Sequence, residues 1–179
     1  LNTGDIELAN NVINEGSSID RMERAIESRC MKLLLHQQPV ARDLRLISAA
    51  LKMITDMERI GDQAEDIAEI ITFLEGRIVG EMKLISGMAY KTMEMVTESV
   101  DAFVKKDMEL AERVIEQDDI VDEFFSQIKQ AIIKWIGNNP SDGEFALDLL
   151  MIAKYLERIG DHATNIAEWV IYSVTGVHK

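Results

Sequence analysis

Apolar residues recur along this chain at steps of three and four, the period of an amphipathic helix. From 5 to 35 the stripe runs Ala9, Val12, Ile19, Ile26, Cys30 and Leu33, which predicts one long helix with a weak spot at Gly16, Ser17 and Ser18. HQQPVARD at 36–43 breaks the pattern: Pro39 stops the helix, and Asp43 is the expected cap of the next. Ile47, Ala50, Ile54, Met57, Gly61, Ala64, Ala68 and Ile71 then form a heptad-like seam through 43–73. Gly76 and Gly80 bracket a loop. A helix is expected over 81–105, with Ile85, Ala89, Val96 and Phe103 inward. After a tight turn, Asp107 is the expected N-cap of a helix over 107–136. Its seam is Ala111, Val114, Asp118, Val121, Phe125, Ile128, Ile132 and Trp135. GNNPSDGE at 137–144 turns the chain into a last helix over 141–173, with Leu149, Ala153, Leu156, Gly160, Ala163, Ala167 and Val170 inward.

The pattern also repeats. LERIGDHATNIAE (156–168) and MERIGDQAEDIAE (57–69) share 9 of 13 residues at an offset of 99. DIELANNVI (5–13) matches DMELAERVI (107–115) at an offset of 102, and Pro39 matches Pro140 at 101. A repeat of this length decides the architecture. One unit has three helices, 81–105, 107–136 and 141–173, and the other shows two, 5–35 and 43–73. The expected fold is all-α: two tandem three-helix bundles, over 1–75 and 81–179, the first lacking its N-terminal helix. Leu1 aligns with Phe103, near the end of a helix, so a sequence cut from a longer chain is favoured over a borrowed helix. A two-helix unit leaves an apolar stripe uncovered.

Composition narrows the function. The net charge is −13, with 47% hydrophobic and 28% charged residues, which is a globular composition. So acidic a chain argues against a broad nucleic-acid surface and for cations or basic partner surfaces. The single Cys30 excludes an internal disulfide and fits a reducing compartment. No apolar run is long enough to span a membrane, and the N-terminus has no signal pattern, so a cytoplasmic location is expected.

The candidate chemistry lies in paired carboxylates. Glu157 and Asp161 stand four apart, on one helix face, beside the seam positions Leu156 and Gly160. Asp118 occupies a seam position itself, with Asp122 one turn on. A carboxylate in a helix seam is costly unless paired or bound to metal. Four hard oxygen donors on two facing helices suit a hard or borderline cation. In the first unit Glu58, Asp62 and Asp20 are the matching residues, but Gly16 stands where Asp118 would be. Glu15 and Asp66 are conceivable replacements. The plainer reading is a solvated face on which Arg59 and Arg158 bridge Asp62 and Asp161. Gly61 and Gly160 then serve close helix packing. Cys30, the ten methionines and both tryptophans are expected as packing residues, and His162, whose counterpart is Gln63, as a solvent-facing side chain or a ligand. No Glu-x-x-His pair, Gly-rich phosphate loop or nucleophile–base spacing is present, so an enzyme is not expected.

LERIGDHATNIAE followed by WVIYSVTG, the twin MERIGDQAEDIAE and QQPVARDLR in the first turn resemble the PhoU family across essentially the whole chain. The resemblance implies two similar three-helix bundles and E(D)xxxD motifs that bind metal ions: iron, zinc, magnesium or manganese. By position the motif falls on Glu58 and Asp62, on Glu157 and Asp161, and on Asp118 with Asp122, and Asp20 is the remaining half of the fourth copy. It implies a metal-binding, non-enzymatic negative regulator of phosphate uptake and phosphate-starvation signalling. Its partners would be the ATPase subunit of the phosphate ABC transporter and a sensor histidine kinase at the inner membrane face. A homodimer is the implied assembly. The alternatives are a helical-bundle metal-carboxylate enzyme or metal store, and a plain helical scaffold.

Overall fold

The computed structural model describes residues 5–36, 40–74, 77 and 82–177. Its helices are α1 (Ile6–His36), α2 (Ala41–Phe73), α3 (Met82–Lys105), α4 (Met108–Asn138) and α5 (Gly143–Thr175). A 3₁₀ turn, Pro140–Asp142, links α4 to α5, and no strand is present among the described residues. The expected helices are all found, and the differences lie at their ends. α1 runs unbroken through Gly16, Ser17 and Ser18. α2 is not capped by Asp43: the N-cap is Val40, with no side-chain bond, and Asp43 lies within the first turn. There its charge still complements the helix dipole. Asp107 does cap α4, accepting from the Leu110 N–H at 2.9 Å. The α4–α5 turn is shorter than expected, because α4 continues to Asn138 and Pro140 starts the 3₁₀ turn where no N–H is needed. Gly176 ends α5 at φ +80°, the left-handed conformation that suits glycine. The expected breaks at Pro39, Gly76 and Gly80 fall outside the described residues.

α3, α4 and α5 close a three-helix bundle around Ile85, Met88, Met95, Val121, Ile128, Ile132, Leu149 and Ile152, all fully buried or nearly so. Each such side chain contributes about 1.5–3 kcal/mol by leaving water. α5 packs against α2, α3 and α4, and α1 packs only against α2 among the described helices. α1 and α2 therefore form a hairpin that leans on the second unit through α2.

The single partner of α1 explains where its predicted stripe fails. Ala9 and Cys30 are buried, but Ile26 and Leu33 are exposed. α2 serves two partners, so its buried set (Ala49, Met53, Ile54, Gly61, Ile67 and Ala68) is broader than one seam, and Met57 is exposed. The repeat makes the asymmetry measurable. Leu110 is 8% exposed beneath α3, whereas its counterpart Leu8 is 59% exposed. An apolar groove of about 450 Å³ runs there, between Leu8 and Val12 of α1, Ile67 and Ile71 of α2, and the flank of α3.

The link between the units is pinned by Arg77. Its guanidinium donates twice to Asp142, at 3.2 and 2.6 Å, and lies 4.2 Å from the Phe145 ring centre. Phe145 meets Trp135 edge-on at 5.4 Å, as the packing role of that tryptophan requires.

Candidate functional site

The candidate site of the second unit is built on the α4–α5 contact. Val121 of α4 is fully buried against Gly160 of α5. A Cβ on Gly160 would lie 3.4 Å from Val121 Cγ1 and 3.5 Å from Asp118 Oδ1. Even a methyl group there would make only an ordinary contact, and Asp118 comes half-buried into the same α4–α5 seam. Its carboxyl is pushed up to about 6, first by burial, then by the charges of Asp161 and Asp122. The buried Thr164 hydroxyl stands beside it, outside strict hydrogen-bond geometry, and opposes the rise. Asp161 is open to solvent on one side, yet its carboxyl is also pushed up, by the protein packed against the other side and then by Glu157. Asp118, Asp122, Glu157 and Asp161 therefore sense one another across two helices, as the sequence spacing predicts.

A fifth member was not legible from carboxylate spacing. The Lys154 ammonium contacts Glu157, and lies 5.4 Å from the Phe125 ring centre. Its position three residues before Glu157 was the available signal. Glu157 is the more buried partner, with its side chain 16% exposed. Among the described residues no three His, Cys, Asp or Glu side chains converge on one point at ligand distance. The donor chemistry nevertheless fits a hard cation: the donors are carboxylate oxygens, two carboxyls are pushed up first by burial and then by neighbouring carboxylates, and one oxygen already holds an ammonium.

In the first unit Glu58 is pushed up by burial and then by Asp62, with smaller contributions from Glu23 and Asp20 and opposition from Arg59. Asp20, Glu58 and Asp62 thus cluster as their spacing predicts, and the structure adds Glu23. Gly16, Asp20 and Glu23 fall on one face of α1, but the counterpart of Glu23 is Phe125, so the repeat gave no hint of it. Arg59 lies 3.5 Å from both Glu58 and Asp62, which matches the bridging role considered for it. Arg158 makes no such pair with Asp161 among the described residues. Gly61 serves helix packing, since a Cβ there would meet Ile19 Cδ1 at 2.8 Å.

His162 turns away from the carboxylates. Its Nδ1 lies 2.9 Å from Asp56 Oδ1, and Asn165 Nδ2 donates to the same oxygen at 3.2 Å. These contacts join α5 to α2, and so join the two units.

Both units find their match among known proteins. The PhoU domain model matches residues 1–71 and 85–170. A phosphate-specific transport system accessory protein PhoU homolog from Clostridium acetobutylicum is 37% identical over 178 residues, spanning 98% of this chain and 81% of that protein. PhoU homolog 1 from Thermotoga maritima is 38% identical, over 98% of this chain and 77% of its own length. The crystal structure of PhoU from Pseudomonas aeruginosa superposes with a TM-score of 0.93 at 36% identity, covering 97% of this chain and 84% of that one. The phosphate transport system regulatory protein PhoU from Streptococcus pneumoniae superposes at 0.88 with 26% identity, over 98% and 83%. With both repeats matched and the helical architecture shared, the chain belongs to the PhoU family.

Proposed function

We propose that this chain is a metal-binding regulator of phosphate uptake and phosphate-starvation signalling that works through protein contacts and not through catalysis. Relatives named as accessory proteins of phosphate-specific transport systems support the biological setting. The observation that carries the metal reading is Asp118. A half-buried carboxyl pushed up to about 6 beside Asp161 and Asp122 is mostly ionised at neutral pH, among like charges. A cation there would relieve that repulsion and tie α4 to α5. Asp118, Asp122, Glu157 and Asp161 would hold it in the second unit, and Asp20, Glu58 and Asp62 in the first. Oxygen donors of this kind accept magnesium, manganese, iron or zinc. Lys154 would have to release Glu157 for that oxygen to become available.

The partners that fit are the ATPase subunit of the phosphate ABC transporter and the cytoplasmic domain of its sensor histidine kinase. A net charge of −13 favours basic faces on both. Among the described residues no helix is long and apolar enough to cross a membrane, so the proposed placement at the inner membrane face depends on those partners. A homodimer is the proposed assembly.

Elemental analysis of the purified protein tests the metal reading. Wild type should carry metal, and the variant combining Glu157→Ala with Asp161→Ala should lose part of it. Near-zero metal in both would leave a helical scaffold. A phosphate-starvation reporter, in cells lacking the native regulator, tests the signalling role: wild type should repress it at high phosphate. Redox turnover by the metal-loaded protein would count against a regulator.

A further inference from the structure

Helix directions decide which turns share an end of the molecule. Arg45, near the start of α2, lies beside Gly176 at the close of α5, its Cδ 3.4 Å from where a Cβ on that glycine would stand. With Asp56 against His162, this makes α2 and α5 antiparallel. Gln117 donates to Glu98 at 3.0 Å, and the Asp107 N–H to the Ala102 carbonyl at 2.9 Å, so the end of α3 meets the start of α4. α4 and α5 are antiparallel too, with Val121 against Gly160 and Trp135 against Phe145. The ends of α1, α3 and α5 and the starts of α2 and α4 therefore lie together. The Arg77 link and the Pro140–Asp142 turn lie at the opposite end.

The first of these ends combines apolar and basic side chains. Leu35, Val40, Leu44, Val104, Val174 and Val177 are all exposed there. Exposed cations stand among them: Lys32 one turn before Leu35, Arg42 two residues before Leu44, and Lys106 two after Val104. No carboxylate pairs with these three cations among the described residues. Over 29–45 the chain carries Arg29, Lys32, Arg42 and Arg45 against the single anion Asp43, although its net charge is −13. Of the carboxylates near the α3–α4 turn, Asp101 holds Lys105 and Asp107 caps α4, which leaves Glu109 in the first turn of α4. The opposite end has the other sign, with Asp142, Glu144 and Asp148 around Arg77.

We propose that the end built from the α1–α2 connection, the α3–α4 turn and the close of α5 binds directly to an anionic membrane surface. The apolar side chains enter the headgroup layer, and the cations meet lipid phosphates. Binding of this kind adds buried apolar area to attraction for anionic lipid. The six apolar side chains come from three separate parts of the chain, which suits a broad surface better than a single peptide groove. The overall negative charge opposes this contact only weakly. Gly160, at the level of Asp118 and Asp161, lies about 24 Å along α5 from Gly176, roughly three Debye lengths at physiological salt. The contact goes beyond the protein partners proposed above and does not rest on the cation-binding reading.

The test is flotation of the full chain with vesicles of phosphatidylcholine alone and of phosphatidylcholine mixed equally with phosphatidylglycerol. Chelator is present, so no divalent cation bridges carboxylate to phosphate. The mixed vesicles should bind roughly tenfold more tightly or better, and the difference should shrink as salt is raised. Lys32→Gln with Arg42→Gln should weaken binding to the mixed vesicles roughly tenfold. Leu35→Ser with Val104→Ser and Val177→Ser should weaken it by a similar factor, about tenfold. Phe73→Ser removes an equally exposed side chain from the opposite end and should change nothing. All the substituted side chains are exposed, and circular dichroism would confirm that each variant is helical. Equal binding to both vesicle types, binding to neither, or an equal loss in Phe73→Ser overturns the proposal. If vesicles go unbound while Lys32→Gln with Arg42→Gln weakens capture of the transporter's ATPase subunit, this end is a protein interface, which overturns the proposal as well.

Discussion

His162 Nδ1 lies 2.9 Å from the Asp56 carboxylate, and this contact crosses from one repeat to the other. Asn165 donates to the same oxygen at 3.2 Å. Both partners are mostly buried, with side chains 24% and 15% exposed. Truncating Asp56 leaves two donors without their acceptor, so Asp56→Ala should cost about 1–3 kcal/mol. Urea unfolding would read it as a lower midpoint at unchanged slope. An unchanged midpoint would mean that apolar packing between α2 and α5 carries the joint alone.

Asp118 sets a pH dependence. Between the ordinary carboxylate range and about 6, the folded protein keeps this proton and the unfolded chain has lost it. Stability from this group is therefore present at low pH and falls as pH rises through about 6. Asp118→Asn should stabilise the chelated protein near neutral pH by about 1 kcal/mol, a figure discounted for solvent screening, and should have no such effect near pH 4. Thermal unfolding of both proteins across that range checks it. A benefit that grew on acidification would have the wrong sign.

The two motif glycines should respond oppositely to alanine. At Gly61 the new Cβ would meet Ile19 Cδ1 at 2.8 Å and Cγ2 at 3.3 Å, so Ile19 must move. Gly61→Ala should cost about 1–3 kcal/mol, and Ile19→Val should restore part of that. At Gly160 the nearest atom is at 3.4 Å, an ordinary contact. Gly160→Ala should be neutral or gain up to about 1 kcal/mol of helix propensity. Equal losses at both sites would show that Gly160 too is needed for close packing.

Arg77 holds the inter-unit link by two hydrogen bonds to Asp142 and by stacking on Phe145. Arg77→Lys keeps the charge but loses the fork and the flat face. Amide exchange should then accelerate around Ser141–Gly143 while the α3–α5 core stays protected. No change at that turn would show the clamp to be dispensable.

Much of this molecule is readable in its residues, for identifiable reasons. α3, α4 and α5 each face a core formed by the other two, so the predicted seam residues Ile85, Val114, Val121, Leu149 and Ala153 are indeed buried. α1 has one partner, so two of its six stripe residues, Ile26 and Leu33, stay outside. Asp107 follows Lys106, whose φ of +54° ends α3, and the cap was predictable from that tight turn. Asp43 misled because α2 begins at Ala41 with Val40 as its N-cap, so Asp43 already lies inside the first turn. The carboxylate pairs were legible because four-residue spacing fixes a helix face. Glu23 was not, since its significance depends on what lies across the helix pair, and Lys154 was signalled only by its place three residues before Glu157.

Asp161 and His162 are neighbours on α5, about 100° apart around the helix. One belongs to the acidic row facing α4, the other reaches α2. A helix turns as a stiff rod, so the two faces are geared together. A roll of α5 would therefore move Asp161 relative to α4 and His162 relative to α2 at the same time, so the acidic row of one repeat and the contact between the repeats rest on one rigid element.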